Sequence, residues 1–195
     1  MHDLLRKEIG TIGAGNVVLM GLSQGCAASL VSALLWEGEA FGGVVGMCGY
    51  LPFRKGMHDC IEDVEHADRD LFGGSGDDGD DVFERDTESS EAGTRFERAV
   101  AWLCDELDVS RQGREKANVP CMQSIPVFLG HGTEDEKVPC EMGRLAAEFL
   151  RGVHVSVDWR EYEGLGHWYS EDMLRDMTQF LKALKGWGNY DPCRE

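Results

Sequence analysis

Four short apolar runs are spaced along the chain, and all but the second lead into a segment whose apolar positions recur at helical spacing; the stretch after the second, 54–92, is short of periodicity. The first, residues 17–22 (VVLMGL), has no polar face at all, as befits a parallel strand covered by helices on both sides. A helix over 24–36 follows, with Ala27, Leu30, Val31, Leu34 and Leu35 as its apolar positions and Gly38 as its expected C-cap. The second run, 43–50 (GVVGMCGY), is stopped by Leu51-Pro52. The third, 125–129, precedes a helix over 141–151. The fourth, 153–162, partly alternates and is expected nearer a sheet edge. A last amphipathic helix over 171–185 points Leu174, Met177, Leu181 and Leu184 inward. Two further helices are predicted. Residues 2–9 carry Leu4, Leu5 and Ile9 on one stripe, and Thr94-Arg95-Phe96-Glu97 is a capping box opening a helix with Phe96, Val100, Leu103, Cys104 and Leu107 on one face. Strands alternating with helices predict an α/β fold with a parallel sheet, whose functional loops lie at the strands' carboxyl ends.

Composition adds bounds. The 195 residues suit one domain with a single core, and 42% hydrophobic with 28% charged residues is ordinary for a globular protein. No run of about 18 apolar residues is present, and MHDLLRKEIG lacks signal-peptide organisation, so a cytoplasmic protein with no integral membrane segment is expected. Seven cysteines, at 26, 48, 60, 104, 121, 140 and 193, form no C-x-x-C pair and no zinc spacing, which favours reduced thiols over a disulfide framework. No cofactor and no metal site is expected.

Charge changes the picture in one place. The net charge is −17, and residues 59–91 alone hold 14 acids against Arg69 and Arg85. The stretch 54–92 is therefore read as an acidic, mobile insertion within the domain. A calcium loop fails on spacing, since taking Asp68 as first ligand leaves Phe72 fifth and Gly79 twelfth, where a glutamate belongs. Nucleic acid is an unsuitable partner, because phosphate contact needs clustered Lys and Arg.

The candidate chemistry sits after the strands. Gly21-Leu22-Ser23-Gln24-Gly25 is a G-x-S-x-G between strand and helix, the pattern of a nucleophile elbow. Small residues on either side let strand and helix pass closely, and the serine stands at a helix N-terminus that favours developing negative charge. Asp135 follows the third strand, and His167, between Gly166 and Trp168, follows the fourth. Serine, acid and histidine in that order match the chain order of an α/β-hydrolase triad, in which the base takes the serine proton and the acid fixes the base's tautomer. The other candidates are weaker. His131 starts Asp135's own loop and is read as structural, and Glu134 could replace Asp135 but fits the pattern less well. His58 and His66 lie in the acidic stretch, and His2 and His154 carry no motif. Cys26 reads as a packing residue.

Three blocks resemble the acyl-protein thioesterase branch of the phospholipase/carboxylesterase family of α/β-hydrolases. They are Gly21-Leu22-Ser23-Gln24-Gly25-Cys26-Ala27, His131-Gly132-Thr133-Glu134-Asp135-Glu136-Lys137-Val138-Pro139 and Gly164-Leu165-Gly166-His167. The resemblance covers roughly 1–52 and 94–187. It implies cytosolic, cofactor-free hydrolysis of thioesters on S-acylated proteins, and of small carboxylic or lysophospholipid esters. By the same match Ser23 is nucleophile, Asp135 orients, His167 is general base, and the Gln24 amide is one oxyanion donor; Leu22 and Trp168, beside the serine and the histidine, are the candidate substrate-binding residues.

The sequence departs from that family in two ways. The acidic stretch places Asp135 112 residues after Ser23, against 32 from Asp135 to His167, and projecting from a loop it could flank the acyl entrance. The second departure concerns the start of the chain: the family has several strands and a His-Gly loop before the elbow, but only 22 residues precede Ser23. Since each βα unit takes about 30 residues, the expectation is an N-terminally incomplete hydrolase with one oxyanion donor missing, poorly active or aggregating alone. Its first strand would carry an unpaired apolar edge open to self-association. A catalytically impaired binder of acyl chains or of a partner is the alternative from another class, and a carbon–carbon or lactone hydrolase a third.

Overall fold

In the computed structural model the described residues are 1–72, 93–109 and 121–184. Four parallel strands form one sheet: β1 (Val18–Leu22), β2 (Gly43–Met47), β3 (Val127–Gly132) and β4 (Val157–Tyr162). Their spatial order is β1-β2-β3-β4, the same as their chain order. Among the described residues helices α1 (His2–Ile12), α2 (Gln24–Leu34), α3 (Arg54–Phe72), α4 (Arg95–Glu106), α5 (Cys140–Gly152) and α6 (Glu171–Ala183) accompany the sheet, with one-turn 3-10 helices at Ala14–Asn16 and Met122–Ser124. The α/β parallel-sheet expectation is met.

The chain divides into two compact units, Met1–Arg54 with Arg111–Glu195, and Lys55–Ser110. In the first unit every residue of β2 and β3 is buried, whereas β4 is half-buried to exposed, as its partial alternation foretold. Helix α2 packs on β1 and β2, and α5 on β3 and β4. The face α2 buries consists mainly of small and aliphatic residues, Cys26, Ala27, Ser29, Leu30, Ala33 and Leu34. Full burial of a leucine such as Leu30 or Leu34 contributes about 2 kcal/mol. The register pairs Leu22 with Met47, Met47 with Gly130 and Gly132 with Tyr162, so all four carboxyl ends reach one rim.

β1 is an edge strand, half-buried, with Met20 48% exposed at its centre. A groove of about 310 Å³ runs beside it, lined by Ile12, Val17, Val18, Met20 and Leu181 together with Glu8 and Asn16.

Several boundaries differ from the sequence pattern. Helix α2 stops at Leu34 with Leu35 as C-cap, not Gly38, because buried Trp36 turns inward and its indole N–H donates to Glu39 O at 2.8 Å. β2 ends at Met47 instead of Tyr50, since Cys48 takes a left-handed φ of 47° that ends strand geometry. β4 begins at Val157; Val153 and Val155 are buried in the turn before it, around a left-handed His154.

In the second unit the start of the acidic stretch departs from the expected lack of periodicity, for Arg54–Phe72 is an α-helix. Met57 and Ile61, one turn apart, are buried, and the apolar spacing continues in sequence through Val64 and Leu71 among the acids. The acids dominate the composition of this segment, but they leave the stripe intact. Helix α4 opens with the expected capping box, Thr94 Oγ1 accepting from the Glu97 amide at 3.2 Å and Glu97 Oε2 accepting from the Thr94 amide at 2.7 Å. It buries Phe96, Ala99, Val100, Leu103 and Cys104. Residues 73–92, including the acids at 77–91, lie outside the described residues.

Candidate active site

Ser23 sits on the sharp turn between β1 and α2 with φ 57° and ψ −117°, a backbone state that costs about 1–3 kcal/mol and persists only where the surroundings impose it. Its amide donates to Met47 O at 2.8 Å, and its carbonyl accepts from the Ala27 amide at 3.2 Å, opening the helix. Gly21 makes the turn possible: a Cβ there would lie 2.0 Å from the carbonyl carbon of Gly25. Gly25 differs from the expectation, since a Cβ on it would meet nothing within 4 Å. Only one of the two glycines is sterically required. Gln24 is the first residue of α2, so its amide belongs to the first turn, which has no intrahelical acceptor.

Asp135 and His167 are brought together by backbone stitching between their loops. The Thr133 amide donates to Tyr162 O and the Glu134 amide to Leu165 O, both at 3.0 Å, while Thr133 Oγ1 accepts from the Gly164 amide at 3.0 Å. Gly132 permits this approach, because a Cβ there would lie 2.0 Å from Leu165 O. The result is a 2.7 Å hydrogen bond from His167 Nδ1–H to Asp135 Oδ2. With Nδ1 donating, Nε2 keeps its lone pair and can accept a proton.

Asp135 is buried and fully satisfied. Its Oδ1 accepts from the Lys137 and Val138 amides, each at 2.9 Å, and Oδ2 also accepts from His131 Nε2–H at 3.1 Å. Burial opposes its charge, yet the Val138 amide, His167 and the Lys137 amide outweigh it and hold the carboxyl below its usual range. His131, read as structural, is indeed buried, and its Nε2–H is shared between Asp135 and Val138 O at 2.9 Å. It therefore braces the acid.

Cys48 is the residue that the sequence left unnoticed. It is fully buried at the carboxyl end of β2, and its Sγ–H donates to Trp168 O at 3.2 Å, tying the histidine loop to the sheet. One ligand atom each from Cys48, Asp135 and His167 lie within 4.8 Å of one another. Burial, and secondarily Asp135, push its thiol above the usual range. The signal was positional: a cysteine directly after a buried strand falls on the rim where the loops converge.

The remaining expected positions are less central. Leu22 packs, half-buried, against Met47, Cys48 and Met173. Trp168 is 55% exposed and stacks on Tyr169 with centroids 4.9 Å apart, an aromatic surface next to His167. Among the described residues Ser23 Oγ is joined to His167 by no hydrogen bond. Glu134 is exposed, and Cys26 is buried with its thiol pushed up to about 12 by burial and then by Cys48. His58 is exposed in α3, and the side chain of His66 is outside the described set. His2 bonds Ser32 O at 2.8 Å, far from this rim in sequence and fold.

A parallel sheet with an elbow serine after one strand, and a hydrogen-bonded aspartate–histidine pair after two others, defines the class as an α/β-hydrolase fold. Residues 106–185 match the family model described as Phospholipase/Carboxylesterase. Acyl-protein thioesterase 1 of Gibberella zeae is 27% identical over 182 residues, covering 93% of this chain and 54% of that protein. Carboxylesterase SOBER1 of Arabidopsis thaliana is 26% identical over 189 residues, 95% of this chain and 57% of that protein. The crystal structure of Arabidopsis thaliana SOBER1 superposes with a TM-score of 0.55 at 23% identity, over 93% of this chain and 59% of that one. The chain is thus similar to members of the phospholipase/carboxylesterase family, and it spans about half the length of the curated relatives it matches.

Proposed function

We propose that this chain carries the reacting residues of a serine hydrolase for carboxylic esters and thioesters. The observation that carries the reading is the 2.7 Å Asp135–His167 pair on the same rim as a strained elbow serine. In this reading His167 Nε2 takes the Ser23 hydroxyl proton as the oxygen attacks the acyl carbon. The Gln24 amide donates to the resulting oxyanion, and the protonated imidazole returns the proton to the leaving thiol or alcohol. Water, deprotonated by the same imidazole, then releases the acid. Trp168 and Leu22 flank the acyl group. The acyl-protein thioesterase names among the relatives favour S-acylated proteins in a reducing, cytoplasmic setting as substrate, with small esters and lysophospholipids as the second class. The free thiols of Cys26, Cys48, Cys60, Cys121 and Cys140 suit such a compartment.

A fluorophosphonate probe is expected to label Ser23 in the folded chain, and Ser23→Ala to abolish labelling. Absence of labelling in a well-folded preparation refutes the reading. The missing Ser23–His167 hydrogen bond favours one second reading, a hydrolase-fold protein that binds acyl chains or a partner without turnover. Thioester or ester turnover that disappears in His167→Ala excludes it.

A further inference from the structure

We propose that Cys48, Asp135 and His167 form a binding site for a thiophilic divalent cation of the zinc class. Their ligand atoms, Cys48 Sγ, a carboxylate oxygen and an imidazole nitrogen, already lie within 4.8 Å of one another. Zinc bonds of about 2.0–2.3 Å place tetrahedral neighbours about 3.3–3.7 Å apart. The longest separation must close by about 1 Å, and the 2.7 Å Asp135–His167 contact must open slightly. Asp135 is held by two amides and Cys48 is fully buried, so the partly exposed His167, on its loop, is the ligand that moves.

The donor set selects the ion. A sulfur and an imidazole nitrogen suit zinc or cobalt(II) and disfavour calcium and magnesium, which require oxygens. Charge favours occupancy as well. One thiolate and one carboxylate neutralise a divalent ion, so the buried site would hold no net charge, which removes most of the penalty for placing an ion there. Binding displaces the Cys48 thiol proton to solvent, and neutral His167 moves its proton to the nitrogen that does not ligate. One proton is therefore released per ion.

The surrounding residues already orient these ligands. Asp135 is fixed by the Lys137 and Val138 amides and by His131, the kind of outer support that prearranges metal ligands. Cys48 is aimed by its own left-handed backbone and by the Trp168 carbonyl. Three protein ligands leave the fourth position open, to water or to an added anion. Sequence spacing could not reveal the site, because its members come from three different strand ends. An ion here takes Asp135 and His167 away from the proposed reaction, so zinc would act as an inhibitor. That consequence rests on the proposed hydrolase function; the site itself does not.

The test is cobalt(II) spectroscopy on the metal-stripped chain, with zinc calorimetry alongside. The expected result is one ion per chain and a thiolate-to-cobalt charge-transfer band with intense tetrahedral visible bands, displaced by zinc. Cys48→Ser should lose the charge-transfer band and weaken zinc binding at least about tenfold. Cys48→Gly, which suits the φ of 47°, serves if the serine variant misfolds. Cys26→Ala should keep the band. A folded wild-type chain without a thiolate–cobalt band, or a band that survives both Cys48 variants, overturns the proposal. Fluorophosphonate labelling of the metal-free chain is read separately, so failure of the hydrolase reading and failure of the metal site cannot be confused.

Discussion

Asp135 collects more polar bonds than any other side chain on the rim: two amides on one oxygen and two imidazoles on the other. Its depressed pKa makes it a source of pH-dependent stability. The contribution is fully present above the unfolded value of about 3.9 and is lost as pH falls through the lower, folded value. Thermal melts between pH 7 and pH 2 should therefore show a loss of stability below about pH 4 that is shallower in Asp135→Asn. In that variant an amide NH₂ or a weaker acceptor faces donors built for a carboxylate, and any ester turnover should fall by about 10⁴-fold. Residue-scale chemistry was partly legible. Ser23, Asp135 and His167 stand in motifs, whereas Cys48 and the bracing role of His131 depend on which side chains converge across strands, which no local pattern states.

At the scale of elements, the elbow gives the sharpest contrast. Gly21→Ala forces a methyl into the backbone of Gly25, with no flexible side chain to yield, and should cost more than about 3 kcal/mol in denaturant unfolding. Gly25→Ala points into open space within α2 and should leave stability unchanged or raise it by up to about 1 kcal/mol. A sequence motif treats the two glycines alike; the coordinates separate them. Element existence was mostly legible because each buried strand is an unbroken apolar run and each helix keeps an apolar stripe. Capping at Thr94 was readable for the same local reason. The helix over Arg54–Phe72 leaves a weak mark in the sequence because its Met57–Ile61 spacing is embedded in acids. The end of β2 was missed because a left-handed cysteine leaves no mark in sequence.

For the whole molecule, the feature of greatest consequence is the outer edge of β1. Met20 and Ile12 are about half exposed there, in a groove with Val18 and Leu181 where, among the described residues, Glu8 is the only charged lining residue. Unpaired strand edges with apolar side chains associate unless charges guard them. Sedimentation or light scattering should therefore show concentration-dependent self-association, and Met20→Lys should shift the population toward monomer with labelling of Ser23 unchanged. Among the described residues no helix is long and apolar enough to cross a membrane.

The coincidence of spatial and chain order in the sheet bears on how the fold is made. Each of β2, β3 and β4 pairs with the strand that comes just before it in the chain, so this part of the sheet is assembled from sequential neighbours. The Asp135–His167 pair, carried on the loops after β3 and β4, closes only when those two neighbours are docked.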